Sequence, residues 1–322
     1  MQNIPRLKFA HLPTPVEEMP RLSAALGGPT LLVKRDDQTG LAFGGNKTRK
    51  LEFLLAEAQA QGARTLITTG AGQSNHCRQT VAAAVRQGFD CILVLTGDPP
   101  AAPSANLLLD HLLGAEIVWT AKGARDETLQ RVFDQARSAG RRPYLVPYGG
   151  SSPMGAAAYA FAMQEMLEQG LSPDWIVFAS SSGGTQAGLM AGARLFGFEG
   201  KILGISVDEP RDVLRERVAG IASGVAGCLR AATTFQSGEV LVNADYVGGG
   251  YGVAGQPEIE AIQLFAKKEG LLLDPVYTGR AAAGLIDLIR KDFFSPDETV
   301  LFWHTGGTPA LFADKYREIL VG

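Results

Sequence analysis

The sequence predicts an α/β protein of two domains, each an open, mostly parallel twisted sheet with helices on both faces. Three observations predict it. Short, β-rich apolar runs alternate with longer helical patterns. Several of those runs have no polar interruption, as expected of strands covered on both faces. Glycine clusters fall between a run and the helix after it, where open α/β sheets place their ligands.

The elements follow in order. Thr65–Thr69 reads as a strand and about Asn75–Arg86 as its helix. Cys91–Leu95 is the next strand, followed by a helix through Leu107–Leu113. Glu116–Trp119 and a helix over Asp126–Ser138 continue the alternation, and Tyr144–Val146 ends it. The pattern restarts at Trp175–Ala179, with a helix after Gly184 and a strand at Ile202–Val207. Thr299–Trp303 is the last strand and runs into His304-Thr305-Gly306-Gly307.

Composition narrows the function classes. The chain has 322 residues, with 30 Lys and Arg against 33 Asp and Glu, a net charge of −3. That balance excludes a disordered chain and argues against a nucleic-acid partner, whose phosphates need clustered cations. Three cysteines, Cys77, Cys91 and Cys228, make no disulfide framework, and a reducing compartment is expected. The first thirty residues hold charges and five prolines rather than a signal-peptide core. The uncharged stretches 143–164 and 175–193 are interrupted by Pro147 and Pro153 and by Ser-Ser-Ser-Gly-Gly-Thr-Gln, so no membrane span is expected. A cytoplasmic location follows as an expectation.

Four stretches could carry chemistry. In Gly44-Gly45-Asn46-Lys47-Thr48-Arg49-Lys50, Asn46 is a good N-cap for a helix whose apolar stripe is 51, 54, 55 and 58. Lys47 would then lie in the first turn, where the helix dipole disfavours cations. Alone, the segment reads equally as a solvated basic face or as an anion site with one lysine of lowered pKa, able to form a Schiff base. Ser180-Ser181-Ser182-Gly183-Gly184-Thr185-Gln186 joins a buried strand to a helix, and its N–H groups and hydroxyls could cup a phosphate. Gly70-Ala71-Gly72-Gln73-Ser74-Asn75-His76 is a similar turn. There His76 reads, by itself, as a satisfied buried histidine. The four histidines lack paired ligand spacing, so no metal is expected. Leu273–Arg280, preceded by Gly248-Gly249-Gly250-Tyr251-Gly252, sets tyrosines beside glycines, for turn packing or for proton donation.

Together these stretches resemble one family. Phe9–Pro15, Lys34-Arg35-Asp36-Asp37, GGNKTRKLEFL, GAGQSNH, SSGGTQAGL, GGGYG, LDPVYTG and HTGG occur in that family's order over nearly the whole chain. The chain is similar to the pyridoxal-phosphate enzymes of the tryptophan-synthase-β fold (fold type II). It looks most like the subgroup of D-cysteine desulfhydrase, 1-aminocyclopropane-1-carboxylate (ACC) deaminase and L-cysteate sulfo-lyase. The resemblance implies pyridoxal 5'-phosphate as cofactor and Lys47 as the Schiff-base lysine and Cα base. Lys50 and Ser182, Gly183, Gly184 and Thr185 would hold the phosphate, and Asn75 the phenolic oxygen. Thr278 would face the pyridine nitrogen. Ser74 would sit over the substrate carboxylate or act in its proton chemistry. Tyr251 and Tyr277 would flank the substrate, with His76 and Thr305 also in its site.

Two positions separate subgroup members. ACC deaminases carry Glu where Thr278 stands and Leu where Thr305 stands. A carboxylate keeps the pyridine nitrogen protonated and the ring a strong electron sink, as opening a cyclopropane requires. A hydroxyl leaves a weaker sink, sufficient when a good leaving group departs from Cβ. The expectation is therefore β-elimination on a small amino acid, first D-cysteine to pyruvate, sulfide and ammonia. L-cysteate with sulfite as leaving group comes second and ACC third. A non-catalytic amino-acid-binding protein is the alternative of another class. A nicotinamide dehydrogenase is disfavoured by the lack of a GxGxxG turn with its acidic partner. The resemblance also implies a homodimer. The larger domain is expected to join 1–50 to 158–322, and the smaller to cover 51–157.

Overall fold

The computed structural model describes residues 4–321. The N-terminal part gives β1 (Val16–Glu18), α1 (Pro20–Leu26), β2 (Thr30–Arg35) and α2 (Asn46–Ala60). A strand–helix alternation follows: β3 (Thr65–Ala71), α3 (Asn75–Gln87), β4 (Asp90–Thr96), α4 (Ala105–Leu112), β5 (Glu116–Thr120), α5 (Arg125–Ser138) and β6 (Pro143–Leu145). Then come α6 (Pro153–Glu168), β7 (Trp175–Ser180), α7 (Gly184–Phe196), β8 (Lys201–Ser206), α8 (Arg211–Cys228) and β9 (Leu241–Asn243). The chain ends with α9 (Gln256–Glu269), α10 (Thr278–Arg290), β10 (Thr299–His304) and α11 (Asp314–Val321).

These strands form two sheets. One is four-stranded and parallel throughout, in the order β5-β4-β3-β6, with Thr65 opposite Asp90 and Ala71 opposite Thr96. The other is six-stranded, in the order β1-β2-β10-β7-β8-β9, and only its edge strand β1 runs antiparallel. Both sheets have helices on both faces, because alternate strand residues feed different cores. In β7, Ile176 and Phe178 pack with α6, α7 and α8, while Trp175, Val177 and Ala179 pack with α9 and α10. In the smaller sheet, Leu66, Leu93 and Leu95 face α2 and α3, while Ile67, Ile92 and Val94 face α5.

The strands read from the sequence lie within a residue or two of those observed. The expected domain limits at 50/51 and 157/158 fall inside α2 and α6 respectively. Helix α2 serves both sheets. Its Leu51, Leu54, Leu55 and Ala58 pack into the core beside the smaller sheet, and Phe53 packs with α6. Burying each leucine contributes about 1.5–3 kcal/mol.

A buried ion network fixes the head of α2 to the larger sheet. Arg49 donates to both oxygens of Asp36, at 3.0 and 2.8 Å, and to both oxygens of Glu165 in α6, each at 2.8 Å. Lys34 of β2 donates to Glu165 at 2.7 Å, and the Tyr159 hydroxyl donates to Asp36 at 2.6 Å. Each buried charge therefore has a partner, without which its burial would cost several kcal/mol, as a rough figure. No helix among the described residues is long and apolar enough to cross a membrane.

Candidate active site

The turns that leave β3, β7 and β10 meet the heads of α2 and α3 in one cleft. Lys47, Ser74, Asn75, His76, Ser182, Gly183, Thr185, Tyr277 and Thr305 all line it. Lys50, Gly184, Tyr251 and Thr278 are not among its lining residues.

Lys47 is the second residue of α2. The N-cap is Gly45, not Asn46 as the sequence suggested. Asn46 is drawn away from capping: its backbone N–H donates to Thr305 O at 2.9 Å and its Nδ2 donates to Thr185 Oγ1 at 3.0 Å. It thereby joins the head of α2 to the ends of β10 and α7. The preceding turn is strained, since Leu41, Ala42 and Phe43 all have positive φ, at 25°, 48° and 69°. Thr39 and Arg78 hold that turn through the carbonyls of Gly45 and Gly44, at 2.9 Å each.

Burial brings Lys47 down to about 8, with a hydrogen bond to Lys50 opposing the shift. Lys50 is lowered further, first by burial and then by the charge of Lys47. Its Nζ donates to Gly149 O and to Ser151 Oγ, both at 3.3 Å. No carboxylate pairs with either lysine among the described residues. Two adjacent buried amines without a counter-charge suit an anionic ligand that also reacts with an amine.

Ser182, Gly183, Gly184 and Thr185 form the head of α7. Gly183 caps it with φ 81°, a conformation that favours glycine, and has no side chain of its own to cap the N–H groups behind it. The Gly184 N–H donates to Ser151 Oγ at 3.2 Å, and the Ser151 and Ser182 hydroxyls are 2.7 Å apart. Lys50, Gly184 and Ser182 thus converge on one hydroxyl oxygen. Such a set of donors suits a phosphate oxygen. The expected cofactor therefore fits these residues: the donor cup would take its phosphate and Lys47 its aldehyde.

Sequence reading missed Ser151 and Tyr148. Both follow β6, Tyr148 at the cleft wall and Ser151 in the cup. The available signal is a Gly-Gly-Ser-Ser-Pro turn at the end of a strand, of which only Pro153 was read, as a break in an uncharged stretch.

The head of α3 supplies the opposite wall. Ser74 is its N-cap, with Oγ accepting from Cys77 N at 3.2 Å. The Asn75 amide oxygen accepts from Asn106 Nδ2 at 2.9 Å. The hydrogen bonds around His76 define its tautomer. Thr68 spends its one hydroxyl hydrogen on Val146 O, at 2.9 Å. The 2.9 Å contact to His76 must then be Nε2–H donating to Thr68 Oγ1, which leaves Nδ1 a bare acceptor. That Nδ1 is buried without a partner. Burial, followed by the charges of Lys47 and Lys50, holds His76 well below 6.5, so the ring is neutral.

Tyr277 precedes α10, and its hydroxyl is 2.8 Å from that of Tyr251. Burial is the main cause raising both phenols above 10, so each keeps its proton. Arg280 steadies the glycine-rich turn that carries Tyr251, donating to Gly250 O at 3.1 Å and Val253 O at 2.6 Å. Thr278 is fully buried. Its hydroxyl donates to Asp274 Oδ1 and accepts from the Asp274 N–H, both at 2.8 Å.

Known proteins resemble this chain in sequence and fold. The family model described as "Pyridoxal-phosphate dependent enzyme" matches residues 7–306. D-cysteine desulfhydrases from Salmonella paratyphi C and Salmonella typhimurium are 42% identical over 97% of this chain and 97% of their own. The crystal structure of an ACC deaminase homologue superposes with a TM-score of 0.90 at 35% identity, covering 99% of this chain and 96% of that one. A threonine deaminase from Solanum lycopersicum, with a TM-score of 0.67 at 15% identity over 96% of this chain and 87% of that one, shares the fold. The chain belongs to the pyridoxal-phosphate dependent enzyme family.

Proposed function

We propose that the chain is a pyridoxal-phosphate lyase that removes sulfide from D-cysteine by β-elimination, the released aminoacrylate then taking up water to give pyruvate and ammonia. The observation that carries the reading is a cleft with a reactive lysine and a phosphate cup but no carboxylate among its lining residues. Such a cleft suits a reaction with a good leaving group on Cβ. The D-cysteine desulfhydrases at 42% identity support the choice of substrate. So do Thr278 and Thr305, which stand where ACC deaminases carry Glu and Leu.

Bound pyridoxal phosphate supplies a ring that withdraws electrons from the substrate's amino nitrogen and so acidifies the Cα–H. The remaining work falls to side chains. Lys50, Ser182, Thr185 and the N–H of Gly184 hold the phosphate. Asn75 Nδ2 donates to the phenolic oxygen, and the Ser74 hydroxyl donates to the substrate carboxylate. Lys47 Nζ takes the Cα proton, as an amine of pKa about 8 can near neutral pH. Tyr277, backed by Tyr251, donates a hydrogen bond to the departing sulfur. His76 and Thr305 bound the substrate on either side. Thr278, whose one hydroxyl hydrogen goes to Asp274, would stand toward the pyridine nitrogen's end without donating to it. A cytoplasmic homodimer is part of the same reading.

The sulfonate of L-cysteate would need a cation of its own. No arginine is among the cleft's lining residues, which favours the thiol. The test is pyruvate release by the cofactor-loaded protein from D-cysteine, L-cysteine, L-cysteate and ACC in parallel, with 2-oxobutanoate followed for ACC. Release from D-cysteine at least tenfold faster than from the others is expected. Preference for L-cysteate or ACC would overturn the substrate assignment.

A further inference from the structure

The cleft needs Asn75 to present hydrogen-bond donors, and an asparagine can turn either end of its amide inward. One backbone carbonyl, acting through the Asn106 amide, decides which. The Asn106 Nδ2 group lies 3.0 Å from Gln73 O, a carbonyl that can only accept. That end of the Asn106 amide is therefore the donor. The same Nδ2 meets the Asn75 amide at 2.9 Å, so the Asn75 atom facing it must be the acceptor, Oδ1. Nδ2 of Asn75 is left facing away from Asn106, and Asn75 lines the cleft.

Asn106 is itself held without freedom to turn. It is fully buried at the start of α4. Its backbone N–H donates to Gln73 Oε1 at 3.0 Å, and Gln73 Nε2 donates to Ser104 O at 3.0 Å. Ala105, between Ser104 and Asn106, has φ 50°, which a residue with a Cβ rarely adopts. That bend lets Ser104 and Asn106 grip both ends of the Gln73 side chain.

We propose that Asn106 is a positioning residue that fixes the polarity of Asn75, so that the cleft offers N–H donors to an anionic ligand oxygen. This rests on the cofactor reading above, in which that oxygen is the phenolic oxygen of pyridoxal phosphate. Asn106→Asp keeps the shape and reverses the chemistry. A carboxylate at 106 would draw the Asn75 Nδ2 toward itself and turn Oδ1 into the cleft, against the phenolate.

The experiment titrates pyridoxal phosphate into the apoprotein and reads two quantities. One is its affinity, and the other is the ratio of ionised to neutral phenol from the visible absorption bands. Asn106→Asp is expected to lower the ratio about tenfold and to weaken binding, as losing one charge-assisted hydrogen bond would. In an Asn75→Ala background it is expected to change neither quantity further, whereas a merely structural defect would still add its effect. Asn106→Ala, which frees Asn75 without reversing it, is expected to lower the ratio severalfold and serves if the aspartate variant does not fold. A wild-type ratio in Asn106→Ala, or additive losses in the double variant, would overturn the proposal. Wild-type protein that takes up no pyridoxal phosphate would instead overturn the cofactor reading, and this inference with it.

Discussion

In the proposed reaction the chemistry turns on Lys47, and its surroundings make a definite demand on pH. Burial lowers its amine to about 8, and Lys50 beside it is lowered further. A protonated amine has no lone pair, so the fraction able to attack an aldehyde rises with pH up to that value and then levels. Uptake of pyridoxal phosphate by the apoprotein should therefore accelerate about tenfold per pH unit below about 7 and level above about 8.5. Stopped-flow absorbance measures this, and a rate independent of pH would show that another amine or another step is limiting. Much of the site was legible at this scale. Lys47, Ser74, Asn75, Ser182, Gly183 and Thr185 sit in short runs at turns that the sequence singles out and that the fold brings to one cleft, while their roles rest on the family resemblance and not on any one run. Asn106 and Ser151 were not legible. Each works through a partner at least 30 residues away, Asn75 in one case and Gly184 in the other, and local sequence carries no record of such a meeting.

Among the elements, α10 shows how a helix end places a side chain in the cleft wall. The Asp274 carboxylate accepts the N–H groups of Val276 and Tyr277 at 3.0 Å each and of Thr278 at 2.7 Å. It fills the place of a cap and orients Tyr277 into the cleft. Asp274→Ala should lower stability by about 1–2 kcal/mol in urea unfolding and raise KM through misplacement of Tyr277. Asp274→Asn, which keeps one acceptor oxygen, should lose less. Equal behaviour of both variants and the wild type would show that the carboxylate does not set the helix end. Strands were read more fully than helices. The missed strand of most consequence, β2, ends in Lys34-Arg35, which looks like a surface pair. Lys34 is fully buried because Glu165 and Gln169 from α6 accept its hydrogens, at 2.7 and 2.6 Å. Tertiary pairing overrode the polarity pattern on which a strand is recognised.

At the level of the whole molecule, two parallel sheets turn their carboxyl ends toward one cleft. The smaller sheet brings Ser74, Asn75 and His76 at the end of β3. The larger brings Ser182, Gly183 and Thr185 after β7 and Thr305 at the end of β10. Helix α2 lies between them, anchored to the larger sheet by Arg49 and packed against the smaller by Leu51, Leu54 and Leu55. Its first turn places Lys47 in the cleft lining, where neither Lys34 nor Lys50 is found. The most direct measurement is borohydride reduction of the cofactor-loaded protein, followed by peptide mapping. The account predicts a single pyridoxyl group, on the peptide at Lys47, and none in Lys47→Ala. A label on Lys50 or Lys34, or equal labelling of the variant, would contradict it.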